Sequence, residues 1–115
     1  EYNIKLKTKS DTEVLLELYI ILGPSMLNKL NGMFSLLILN KETFELFIAR
    51  DRLGIKPLYY TNYKGFMTVS SEIAPLISLY GFSKPDEIGI RQYLKLRAFF
   101  NGRTYLQKIN MFLLF

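Results

Sequence analysis

Three charged side chains stand in a row at Arg50, Asp51 and Arg52, inside the run Leu46 to Tyr60, LFIARDRLGIKPLYY. Two guanidinium groups offer planar donor forks and the carboxylate between them is an acceptor, so this is the stretch best equipped to build a hydrogen-bonded site. Gly54 can take backbone angles that a residue with a Cβ reaches only at a cost, and Pro57 fixes the backbone where the aromatic run resumes. Two readings follow. The loop is either a structural corner that holds two strands in one sheet, or a functional loop presented by a rigid scaffold. Two further acids invite chemistry. Asp11 lies in Ser10-Asp11-Thr12-Glu13, and Glu72 follows an apolar run beside the basic loop. A first-turn acid at either place is favoured by the helix dipole alone, by about 0.3–1 kcal/mol, and Glu72 could instead pair with Arg50 or Arg52.

The chain of 115 residues holds no Cys and no His. A thiol nucleophile, an imidazole base, a disulfide and the usual zinc ligands are therefore missing from it, and no metal site is expected. Ser10 and Thr12 gain nothing as nucleophiles, because Lys9 is a poor base for them. An enzyme built only on carboxylates such as Asp51 and Glu72 is a weak reading. The formal charge is +5, from 15 Lys and Arg against 10 Asp and Glu, but the basic residues are scattered. Tyr59, Tyr60 and Tyr63 near Lys56 and Lys64 come nearest to the basic, aromatic stripe that nucleic acid requires, and nucleic-acid binding is not expected. Charged or amide residues interrupt every apolar run before the ~18 of a membrane span, and the first residues lack a signal peptide's apolar block. The expectation is no membrane association and a cytoplasmic location.

These residues need elements to hold them. Half of the residues are hydrophobic, enough for one domain with a core. Ile4, Leu6 and Thr8 alternate with lysines as in a strand. Ser10 to Glu13 then fits a capping box, with the Ser10 hydroxyl accepting from a first-turn amide and Glu13 reaching back to the cap. Val14, Leu15, Leu18, Tyr19 and Leu22 continue at helical spacing until Gly23-Pro24. Ser25 to Leu30 reads as a helical turn ending at Asn31-Gly32. Met33 to Leu39 is almost wholly apolar, as in a strand covered on both faces. Asn40 to Thr43 forms a hairpin connection to a return strand, Phe44 to Arg50, which enters the charged loop. Leu58 to Thr61 and Phe66 to Ser70 make a second hairpin around Asn62 to Gly65. Ser71 caps a helix through Tyr80, closed by Gly81, and Asp86 caps another that carries Ile90, Tyr93, Leu94 and Arg97. Short connections require antiparallel pairing, and two-sided burial requires layers on both sides. The expected fold is α+β, an incomplete antiparallel two-sheet sandwich flanked by helices (αββα).

The run ARDRLGIKPLYY, with Asn31-Gly32-Met33-Phe34 before it and Val69-Ser70-Ser71-Glu72-Ile73 after it, resembles the glutaminase domain of glutamine-dependent asparagine synthetases. These are class II glutamine amidotransferases of the N-terminal-nucleophile fold. The resemblance covers the C-terminal part of that domain, taken here as residues 1–109, and leaves 110–115 as a non-matching apolar tail that either packs into the domain or forms an adhesive end. It implies glutamine hydrolysis that supplies ammonia for the ATP-dependent amidation of aspartate, with the family acting as a ligase in asparagine biosynthesis.

Ser10-Asp11-Thr12-Glu13-Val14 matches the family's SDTEV motif. The resemblance therefore implies that Asp11 pairs with the α-ammonium group of glutamine, beside the plainer dipole reading. Arg50, Asp51, Arg52, Gly54 and Pro57 are read, on residue chemistry, as a structural loop. The family's nucleophile is an N-terminal Cys whose own amino group is the base, and its oxyanion donors are an Asn-Gly pair. Neither is matched here, since Asn31-Gly32 precedes the MFSLLIL strand and does not take that role. No catalytic residue is assigned, and the chain alone is expected to be inactive. No cofactor is expected on it, since ATP and Mg belong to the family's synthetase domain. The implied partners are that domain and the N-terminal half of the glutaminase domain. The alternative is a non-catalytic remnant or interaction module that pairs with a partner chain, or with a second copy as a homodimer, through unpaired strand edges.

Overall fold

The computed structural model describes residues 6–113. It divides into two compact units, one formed by residues up to Gly32 with Leu37–Ile48, the other by Met33–Leu36 with the residues from Ala49 onward. The expected first strand falls partly on residues outside the described range. Its described part, residues 6–9, is a bend and not a strand.

In the first unit, helix α1 spans Asp11–Leu22 and opens on Ser10, whose side chain accepts from the Thr12 amide. The capping box is modified. Glu13 reaches past the Ser10 amide to accept from the Lys7 and Thr8 amides at 2.8 and 2.7 Å, and from the Thr8 hydroxyl. Ser10 N–H instead donates to the Thr8 hydroxyl. These contacts hold the Glu13 carboxyl below the usual range, the Thr8 hydroxyl contributing most. Gly23 ends the helix and a 3-10 helix, Gly23–Lys29, follows directly, with Met26 fully buried. Tyr19 stacks on Phe47 with centroids 4.8 Å apart.

Strands β1 (Ser35–Leu39) and β2 (Leu46–Arg50) form a two-stranded sheet. The Asn40 side chain shapes their connection by accepting from the Glu42 and Thr43 amides. β1 is not covered on both faces as its composition suggests, since Leu37 and Leu39 are exposed. An apolar strand states what it could bury, and whether another layer arrives is decided elsewhere.

In the second unit, β3 (Tyr59–Tyr63) is the central strand of a three-stranded antiparallel sheet between β4 (Phe66–Ser70) and β5 (Asn110–Met111). The β3–β4 hairpin turns on Lys64 and Gly65 alone, with φ of 52° and 82°. Positive φ at both central residues matches the twist of the flanking strands, so β3 runs two residues further than the four-residue turn read from sequence. Strands β2 and β3 lie in different sheets, so the charged loop does not join two strands of one sheet. β5 comes from the stretch set aside as a tail, and residues 110–112 pack into this unit.

Helix α2 (Ile73–Tyr80) lies against β3 and β4. Its cap residue is Glu72, not Ser71, and it has no side-chain cap bond. Pro75 is accommodated in the first turn, where a missing N–H costs nothing. Ile73, Leu76, Phe82 and Ile109 form the core, with Tyr59, Tyr63, Ile77, Tyr80 and Leu106 packed around it. Helix α3 (Glu87–Leu96) is capped by Asp86, whose carboxylate accepts from the Ile88 and Gly89 amides. At Gly89 an added Cβ would lie 1.9 Å from the Thr104 carbonyl oxygen, so the helix rests directly on backbone.

Candidate functional site

The end of β2 carries Arg50 into the protein, where it is 6% exposed. Its guanidinium donates to three main-chain carbonyls: Lys56 at 2.6 Å, Phe112 at 2.9 Å, and Gly54. Two of these acceptors belong to the loop and the third lies beyond β5. Asp51 is 2% exposed and turns the other way. Its Oδ1 accepts from the Leu53 and Ile55 amides at 3.1 and 3.0 Å, and its Oδ2 from the Lys56 amide at 3.0 Å. Its own N–H donates to the Phe34 carbonyl, and its carbonyl accepts from Gly54. Arg50 thus holds two of the loop's carbonyls and Asp51 its amides, which satisfies a partly buried non-repetitive backbone.

Burial is the largest single influence on the Asp51 carboxyl and pushes its pKa up. The amides of Lys56, Ile55 and Leu53, with that of Phe34, together outweigh it and hold the group below the usual carboxylate range. Gly54 takes φ of 63°, the left-handed conformation in which a Cβ would be strained. Arg52 and Pro57 are exposed, as are Leu53 at 79% and Ile55 at 52%. The loop is therefore firm within and apolar at its tip. Downstream, burial first and then Tyr105 raise the pKa of the Tyr59 phenol, against an opposing effect from Arg50.

Asp11 lies in the other unit. It is exposed at the first position of α1, and its Oδ1 accepts from the Thr12 amide at 2.8 Å. One carboxylate oxygen has no partner among the described residues, so the group can still receive a cation. Glu72 is exposed and forms no ion pair with Arg50 or Arg52 among the described residues. Glu72 stands instead at the cap of α2, while three of the Arg50 N–H groups turn to main-chain carbonyls. No group of three or more metal-ligating side chains gathers among the described residues. Among them, too, no helix is long and apolar enough to cross a membrane.

Sequence reading missed the pair formed by Arg103 and the cap residue Asp86, 2.7 Å apart. Burial raises the Asp86 carboxyl, but the Gly89 amide, Arg103 and the Ile88 amide prevail and lower it. It also missed Thr104, fully buried, whose hydroxyl is within hydrogen-bond distance of the Leu106 and Ile109 carbonyls and accepts from the Leu106 amide. The Arg103–Asp86 pair has no local signature, because the fold brings together residues 17 positions apart; the partners of Thr104 are local, but its burial is set by the fold.

A family model describing a glutamine amidotransferase domain matches residues 1–114. The chain belongs to that family. Among curated relatives, it is similar to glutamine-hydrolysing asparagine synthetase 2 of Bacillus subtilis (strain 168), with 43% identity over 77 residues, covering 67% of this chain and 10% of the relative. It is also similar to glutamine-hydrolysing asparagine synthetase 1 of the same organism, with 40% identity over 90 residues, covering 78% of this chain and 14% of the relative. The chain thus spans only a small part of the relatives it matches.

Proposed function

We propose that this chain is the part of a glutaminase domain that supplies its sheet core, its organising loop and one substrate contact, within an asparagine synthetase. The observation that carries the reading is the amidotransferase match across residues 1–114. The parent activity on this reading is hydrolysis of glutamine, with the ammonia passed to an ATP-activated aspartate. The incomplete αββα sandwich of the N-terminal-nucleophile fold belongs to the same proposal.

Within it, Asp11 receives the α-ammonium group of glutamine. An ionised acceptor at the start of a helix, with one oxygen uncommitted, makes a charge-assisted hydrogen bond to an ammonium donor. Arg50, Asp51 and Gly54 shape the loop, because Arg50 donates to two of its carbonyls, Asp51 accepts from its amides and Gly54 supplies its turn. No cysteine is present among the 115 residues, so no nucleophile is assigned and the isolated chain is proposed to be inactive. ATP and Mg2+ serve the amidation step, and the described residues offer no acidic cluster that would fit the ion.

Replacing Asp11 by Asn in the full-length protein that carries this segment tests the substrate contact. The expected result is a rise in the glutamine KM of about tenfold or more, with ammonia-dependent synthesis retained. Unchanged glutamine kinetics would remove Asp11 from the site.

A second reading rests on a different observation. In the first unit Leu16, Ile20 and Ile21 of α1, and Leu37, Leu39 and Leu46 of the β1–β2 sheet, are exposed. Such surface suits a partner chain or a second copy. Size-exclusion chromatography with light scattering would reject this reading if the chain alone ran as a single monomeric species.

A further inference from the structure

A cleft of about 430 Å³ in the second unit runs between the charged loop and residues 97–103. Arg50, Arg97 and Arg103 line it, together with Leu53, Phe99 and Phe112, and among the described residues no Asp or Glu does. The three cations are not equivalent. Arg103 is balanced by Asp86 at 2.7 Å. Arg50 is buried, yet its three acceptors are neutral carbonyls and no carboxylate among the described residues pairs with it. A guanidinium carries five N–H groups, and among the described residues three of these are committed. Arg97 ends α3 in the left-handed conformation, with φ of 54°, and its side chain is likewise without a carboxylate among the described residues.

Two positive charges with no carboxylate partner among the described residues therefore border one apolar cavity, and one of them is removed from water. A buried cation whose hydrogen bonds go only to neutral dipoles remains electrostatically incomplete, and a nearby anion lowers its free energy. We infer that this cleft is a binding site for a carboxylate carried on an apolar body. The planar carboxylate matches the guanidinium fork, while the aromatic and aliphatic walls receive the rest of the ligand. A compact, strongly hydrated anion would satisfy the charges but leave those walls in water.

Titration of the full 115-residue chain with 4-phenylbutyrate, followed by NMR or calorimetry, tests the site. The controls are 4-phenylbutyramide, which has the same body without the charge, and inorganic phosphate, which has the charge without the body. The carboxylate is expected to bind saturably, at least about tenfold more tightly than the amide, and to weaken as sodium chloride is raised. Arg97→Gln, an exposed position with no side-chain hydrogen bond among the described residues, is expected to weaken it about tenfold, with Arg97→Lys recovering part of the loss. Equal binding of the amide, equal binding of phosphate, or indifference to both salt and Arg97→Gln would each overturn the assignment. The salt titration uses the unmodified chain, so the outcome does not hang on a variant folding.

Discussion

Asp51 is the residue on which the loop's geometry depends. Its two oxygens receive three amides, and an Asn side chain can present only one oxygen to them. Asp51→Asn is expected to destabilise the chain by about 1–3 kcal/mol, measured by urea unfolding, because at least one partly buried amide loses its acceptor on a buried side chain. The same carboxylate sets a pH dependence. Its folded pKa is depressed, so its contribution is complete above the unfolded value, about 4, and disappears as pH falls through the lower folded value. Asp86 acts in the same sense. Unfolding followed from neutral pH into this acid window should show stability falling, with a shallower fall in Asp51→Asn. Asp11 marks the contrast. Both carboxylates were visible in the sequence, but Asp51 turns inward and holds backbone whereas Asp11 remains open at a helix start. Residue type identified the acids, and their partners show which is committed to the backbone and which keeps an oxygen open among the described residues.

Among the elements, the clearest test lies where α3 meets the backbone of Thr104. Helix propensity alone would favour Gly89→Ala by about 1 kcal/mol. The new methyl would overlap a carbonyl that cannot swing aside as a flexible side chain can. The steric effect is expected to win, with a net loss of about 1–3 kcal/mol in thermal or urea unfolding. Local signals identified much of this level. The Asp86 cap, the Gly81 stop and the β3–β4 hairpin are all set over a few residues, and each lies close to its expected place. Nonlocal features escaped. Nothing in MFSLLIL says that β1 would keep two leucines exposed, nothing around Arg50 says that β2 and β3 would enter separate sheets, and nothing in Asn110-Met111 marks a strand that pairs with Tyr59 and Tyr60. The Lys64-Gly65 turn was missed for a smaller reason, since lysine is an uncommon residue at positive φ.

At the scale of the whole molecule, the two units differ in what they bury. Helix α1 has no buried residue, whereas β3 packs into the Ile73, Leu76, Phe82 and Ile109 core. Amide hydrogen exchange is expected to be faster along α1 than along β3, and equal protection of the two would contradict this account of where the burial lies. The reach of Arg50 has a consequence for how the molecule is made. The residues of the charged loop leave the ribosome early, but the Phe112 carbonyl that receives Arg50 is 62 positions further along. β5, which pairs with β3 just before Phe112, arrives equally late. Until then the guanidinium lacks one acceptor and β3 lacks one neighbour, so local order in the loop cannot by itself complete this unit. Its final closure is a long-range event, entropically slow and delayed by translation, and a nascent chain halted before residue 112 would display a half-tethered loop beside an open strand edge.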